Sequence, residues 1–221
     1  MQEKIDLEDF EAVIYDMDGL LIDSEPLWQE AEMKLFKTIG IELTLANCLE
    51  TTGLPTKDVI AYWYAKHPWK NKTIQEVEDE LYLEVIALIH ERGKPMPGVI
   101  ASLQFFKEKG FKIALASASP MPLVQASITK CELEEYFDFF HSGTLEKANK
   151  PNPALYHTAA KNLATPIEKC IIMEDSGNGV KGAVASGAFA VAIPSPHDFD
   201  DPKFDIARAK YRNMDEFIAS L

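Results

Sequence analysis

The densest chemistry in this 221-residue chain is the tetrad Asp16-Met17-Asp18-Gly19. It follows an apolar run at 10–15 that reads as a strand, so both carboxylates can project into the crevice beyond a strand's carboxyl end. One carboxylate can attack phosphorus and become an aspartyl-phosphate, while the other handles protons. Gly19 lets the chain turn sharply directly afterwards. Asp and Gly are also common turn residues, so taken alone the tetrad is equally a polar turn.

Three further features sit at matching places. Ser117 ends the run Ala114-Leu115-Ala116-Ser117, where its hydroxyl and N–H can grip a phosphoryl oxygen or simply cap a following helix. Lys150, in Asn149-Lys150-Pro151-Asn152-Pro153, can neutralise a phosphoryl group and a nucleophile, or be an ordinary exposed loop lysine. Glu174-Asp175 follows Cys170-Ile171-Ile172-Met173. An acidic pair at the end of a buried strand is costly unless a positive group occupies the site, and Mg²⁺ fits. The same residues, with Ser176-Gly177-Asn178-Gly179, also suit a strand-to-helix turn.

Electrostatics joins the four features. A carboxylate approaching a phosphate dianion meets a repulsion of about 4 kcal/mol per charge pair at 4 Å and an effective dielectric near 20. Such a nucleophile needs cations beside it, and a lysine plus an ion held by carboxylates would supply them.

The elements that must position these groups read as an α/β chain with a parallel sheet. Short apolar runs at 10–15, 111–116, 137–140, 170–173 and 189–193 alternate with helical patterns at 98–109, 120–132, 153–163 and 177–186. Gly110 and Gly187 stand where helix C-terminal caps want them. About 95 residues separate the first two runs, whereas a crossover with its helix needs a dozen or more. Leu27, Ala31 and Leu35, and then Ile74, Val77, Leu81, Val85 and Leu88, recur at helical spacing inside this gap. Residues 23–93 are therefore expected to form an inserted all-α cap. Residues 1–22 and 94–221 are expected to form a Rossmann-like core with helices on both faces of its parallel sheet.

The formal net charge of −13 argues against nucleic-acid or anionic-membrane partners, whose phosphates it would repel. A small anionic substrate responds instead to local groups. No apolar stretch approaches a membrane span. The polar start, Met1-Gln2-Glu3-Lys4-Ile5-Asp6, does not resemble a secretory signal. Cys48, Cys131 and Cys170 are odd in number and lack a CxxC pair, as expected of reduced thiols in a cytoplasmic protein. The five histidines show no metal-binding spacing.

In order along the chain, Asp16-Met17-Asp18-Gly19, Ser117, Lys150-Pro151 and Glu174-Asp175-Ser176 resemble the four motifs of the haloacid dehalogenase superfamily, in its phosphatases and phosphomutases with a helical cap. The resemblance implies Asp16 as nucleophile, Asp18 as general acid/base, and Ser117 and Lys150 as phosphoryl ligands. It further implies Mg²⁺ held by the Asp16 side chain, the Asp18 carbonyl and Asp175, with Glu174 assisting. Substrate contacts are expected at Ser117, Ala118 and Lys150 in the core and at Glu25, Gly53, Leu54 and Lys57 in the cap. Trp63 is a further candidate, although it and Tyr64 read more simply as cap core.

Leu20 to Trp28, Trp63-Tyr64-Ala65 with Pro68-Trp69, and Leu115 to Pro120 are similar to hexitol and 2-deoxyhexose 6-phosphate phosphatases. The chain is also similar to β-phosphoglucomutase. That enzyme holds a second phosphate with a cap-loop arginine, and Gly53-Leu54-Pro55-Thr56-Lys57-Asp58 has none, only Lys57 as a point charge. The expected activity is thus hydrolysis of a small phosphorylated metabolite by a monomer, with a phosphomutase as the alternative. A response-regulator-like receiver also groups strand-end acids, Ser/Thr and Lys around Mg²⁺, but it carries no helical cap of this size.

Overall fold

The computed structural model describes residues 5–221; the reading of the N-terminal residues at 1–4 lies outside them. The chain divides into two compact units, residues 1–23 with 94–221 and residues 24–93.

The first unit is built on six parallel strands. They are β1 (Ala12–Tyr15), β2 (Lys112–Ser117), β3 (Phe139–Ser142), β4 (Cys170–Glu174), β5 (Phe189–Ala192) and β6 (Ala209–Lys210), in spatial order β3-β2-β1-β4-β5-β6. This is a Rossmann-like, doubly wound α/β sheet. The chain steps outward from β1 through β2 to β3, then crosses back to β4 on the other side of β1. The switch point, where such sheets bind ligands, therefore lies at the carboxyl ends of β1 and β4, with β2 alongside β1.

Side-chain alternation assigns each face. Ala12 and Ile14 of β1, Ala114 and Ala116 of β2, and Cys170 and Ile172 of β4 pack with Leu155, Tyr156, Ala159 and Ala160 of a helix at Ala154–Asn162 and Ala183 of one at Gly177–Ser186. On the opposite face Tyr15 donates to, or accepts from, Ser102 Oγ of the helix at Val99–Glu108 across 2.7 Å. A helix at Met121–Lys130 follows β2, and one at Met214–Ala219 closes the chain.

The run expected at 137–140 forms its strand two residues later. Phe137 instead closes a short 3₁₀ turn and meets the Tyr15 ring edge-on at 6.4 Å, while Asp138 Oδ2 accepts the Ile113 N–H. The two-residue β6 carries too little apolar alternation to be seen in the sequence.

The second unit is four helices, Glu25–Thr38, Leu45–Thr51, Thr56–Lys66 and Ile74–Arg92. Thr44 with Asn47 and Thr73 with Glu76 form capping boxes that start the second and fourth. Leu27, Ala31 and Leu35 are buried, as are Val77, Leu81, Val85 and Leu88, whereas Ile74, at the helix start, is exposed. Phe36 centres an aromatic cluster with Trp63 and Trp69.

Trp63 lies in the core of this helical unit, but Tyr64 does not. Val59, Ile60 and Trp63 define the buried stripe of their helix, and the next position turns about 100° away from it. Tyr64 therefore lies at the surface, edge-on to Trp69.

Candidate active site

β1 and β4 are neighbours in register, Tyr15 opposite Met173, and Asp16 N–H bonds the Met173 carbonyl at 3.0 Å. Asp16 thus continues the series Ala12, Ile14, and Glu174 the series Cys170, Ile172, toward the same face. Period-two alternation predicts that the two carboxylates meet there, and they do.

Lys150 joins them from the loop before the Ala154–Asn162 helix. Its ammonium donates to Asp16 Oδ1 at 2.5 Å and Glu174 Oε1 at 2.6 Å. All three side chains are nearly excluded from solvent, so Lys150 is not a surface loop lysine. Burial pulls the Lys150 pKa down, but the adjacent Asp16 and Glu174 charges outweigh it and hold the ammonium protonated. Burial, then the Glu174 charge, push Asp16 up to about 6 against the opposing pull of Lys150.

Asp175 lies beside this group. Its carboxylate approaches Gly19, whose φ of +74° suits glycine, and any Cβ at Gly19 would run into Asp175 Oδ2. Asp175 Oδ1 is buried without a hydrogen-bond partner, and burial followed by the Asp16 and Glu174 charges raises its pKa well above the usual carboxylate range. Asp16, Glu174 and Asp175 each offer an oxygen within 4.8 Å of the others. When ionised they outnumber the one ammonium by two charges. Convergent oxygens, an orphaned acceptor and uncompensated charge fit a hard divalent cation such as Mg²⁺.

Glu174 is more heavily engaged than the sequence suggested. Besides Lys150 it accepts from Tyr156 OH at 2.5 Å and Ser176 Oγ at 3.2 Å, and it lies against Gly179, where a Cβ would strike its carboxylate. Ser176 also caps the following helix through the Gly179 N–H, so the turn reading and the acidic site coexist.

Asp18 and Ser117 belong to a second cluster at the same edge. Ser119 Oγ donates to Asp18 Oδ2 at 2.7 Å, and the Ser119 N–H bonds Ser117 Oγ at 3.1 Å. The loop that carries them is tied down by Ser142 Oγ on the Ser119 carbonyl and Asn149 Nδ2 on the Ala118 carbonyl. Ser119, Tyr156, Ser176 and Asn149 were not legible as site residues. Ser119, Ser176 and Asn149 each lie within a stretch that carries a motif residue, whereas Tyr156 lies outside all of them.

Glu25, Gly53, Leu54 and Lys57 all lie in the helical unit. Glu25 opens the Glu25–Thr38 helix and accepts from Gln29; Gly53 has φ +79°; Leu54 and Lys57 are exposed.

Residues 13–193 match the sequence profile of the haloacid dehalogenase-like hydrolases. The chain belongs to this family. It is an enzyme chain: hexitol phosphatase B of Escherichia coli K12 is 35% identical over 209 residues, covering 94% of each protein. A phosphorylated carbohydrates phosphatase of Thermotoga maritima is 32% identical over 80% of this chain and 82% of its own. Among solved structures, CbbY of Rhodobacter sphaeroides in complex with phosphate superposes with a TM-score of 0.83 at 25% identity, covering 96% of this chain and 99% of that one. The similarity to sugar phosphatases thus spans both units.

Proposed function

We propose that this hydrolase is a Mg²⁺-dependent phosphatase of small phosphorylated metabolites, in particular hexose, 2-deoxyhexose or hexitol phosphates, working through phospho-Asp16. One observation carries the reading: a buried ammonium, Lys150, is shared between Asp16 and Glu174 beside the partnerless Asp175 oxygen. That arrangement lets a carboxylate face a phosphate dianion without the repulsion it would otherwise meet. The similarity to sugar phosphatases supports the substrate class.

In this reading a carboxylate oxygen of Asp16 bonds to phosphorus while the P–O bond to the sugar breaks. Asp18, protonated, gives its proton to the leaving alkoxide. Asp18 then takes a proton from water, which attacks phosphorus, and the P–O bond to Asp16 breaks to release phosphate. Ser117 and Ala118 hold phosphoryl oxygens, and Lys150 keeps Asp16 ionised and neutralises the group in flight. Asp16, Asp175, the Asp18 carbonyl and Glu174 would hold Mg²⁺, which when bound supplies Lewis-acid charge neutralisation at the phosphoryl oxygens. Glu25, Gly53, Leu54 and Lys57 are the proposed specificity residues.

A panel of phosphorylated metabolites assayed with MgCl₂, including hexose 6-phosphates and hexitol phosphates, tests this. Phosphate release from the sugar phosphates, lost in Asp16→Asn, is expected. Conversion of glucose 1-phosphate to another sugar phosphate without phosphate release, followed by NMR, would make the chain a mutase instead.

A further inference from the structure

Tyr156 sits where a phenylalanine would pack equally well. Its ring is fully buried against the sheet among Leu155, Ala159 and Ile172, and the ring edge meets Gly182, where a Cβ would come within 3.0 Å of Tyr156 Cε2. A hydroxyl in such surroundings is costly unless it is bonded. Its partners are Glu174 Oε1 at 2.5 Å and the Gly179 carbonyl at 3.2 Å, and the Lys150 ammonium lies 5.5 Å from the ring centroid. The hydroxyl is therefore directed at the acid that holds the lysine.

The Glu174 carboxylate is held by three donors. Lys150 and Tyr156 both donate to Oε1, Ser176 Oγ donates to Oε2, and Gly179 leaves room for the carboxylate to lie against the first turn of the next helix. Only Lys150 among these donors reaches Asp16. Removing the tyrosine hydroxyl would leave Oε1 a single donor and free the carboxylate to rotate about its last torsion, which is broad and weakly restrained by itself. Lys150 would then follow one carboxylate or the other.

We propose that Tyr156 is a positioning residue of the hydrolysis: its charge-assisted hydrogen bond fixes Glu174 in the orientation that holds Lys150 against Asp16 and presents the acidic cluster to Mg²⁺. The proposal rests on the phosphatase reading for its effect on turnover, but not for its effect on the metal site.

Three measurements on the full chain test it: MgCl₂ titration by calorimetry, thermal melting, and kinetics on a phosphate ester that the unsubstituted protein hydrolyses. Tyr156→Phe is expected to melt close to the parent yet lose kcat by about 10-fold with KM little changed, and to bind Mg²⁺ more weakly by a similar order. In a Glu174→Gln background the same substitution should have little further effect, because the hydroxyl acts through Glu174. Gly179→Ala keeps the hydroxyl but drives a methyl into the carboxylate, and should reproduce the fall in kcat and in Mg²⁺ affinity. An unchanged kcat and Mg²⁺ isotherm in Tyr156→Phe, or effects that multiply in the double variant, would overturn the proposal. If the parent hydrolyses no phosphate ester, the phosphatase reading fails, and the Mg²⁺ isotherms still decide the role of Tyr156.

Discussion

Lys150 and Asp16 are 134 residues apart in the chain, yet the lysine ammonium donates to Asp16 Oδ1 at 2.5 Å inside the protein. Each would be strongly disfavoured there alone. Together, and with Glu174 on the other side of the ammonium at 2.6 Å, they make a buried, charged cluster.

Asp16→Asn is expected to fold and to lose turnover by about 10⁴-fold or more, some 5 kcal/mol of transition-state stabilisation, since the amide cannot form the phosphoryl bond. Inorganic phosphate release with MgCl₂ measures it, and turnover near the parent rate would remove Asp16 from the mechanism.

Lys150→Met keeps most of the stem but strands two carboxylates in the interior. A loss of about 3–5 kcal/mol in urea unfolding at neutral pH is expected, as for other broken buried pairs. The loss should shrink in mild acid, where Asp16 can take up a proton.

Without divalent ions, stability should fall as pH rises through about 6. The folded pKa of Asp16 is raised, so the folded state binds protons more tightly than the unfolded chain does. Its contribution is complete below the ordinary Asp range and lost above about 6, and Asp175 acts in the same direction. Lys150, with its pKa raised from an already high value, changes nothing in this window. Mg²⁺ competes with these protons, so millimolar MgCl₂ should raise the melting temperature more in mild alkali than in mild acid. An equal rise at both would contradict a site built from these acids.

Glu32 provides a separate pH test within the helical unit. It is buried, Oε2 has no hydrogen-bond partner, and burial pushes its pKa up to about 7 against a hydrogen bond with Cys48. Its stabilising contribution is therefore present below the usual Glu range and lost as pH rises through about 7. Glu32→Gln should flatten that part of the melting-temperature profile while leaving the acid-side dependence of Asp16 in place.

Much of the site was legible because strand-end chemistry has a local signature. Asp16 and Glu174 each end a short apolar run, and parallel strands that end together bring such residues to one edge whatever the loops do. The helices of the unit at 24–93 were legible from periodicity, since Val77, Leu81, Val85 and Leu88 can share a face only on a helix. Tyr64 misled because two adjacent aromatics look equally apolar, although only one of two neighbouring helical positions can face the core.

The sequence by itself determined the parallel sheet, the helical insertion and the identity of the strand-end acids, because each depends on residue type and short-range period. Only the tertiary structure decided that Lys150 is buried between Asp16 and Glu174, that Ser119 holds Asp18, and that Tyr156 reaches Glu174. Those pairings depend on which face of a helix meets which strand and at what height. A tyrosine on a helix carries no trace of that until the sheet order has closed around β1.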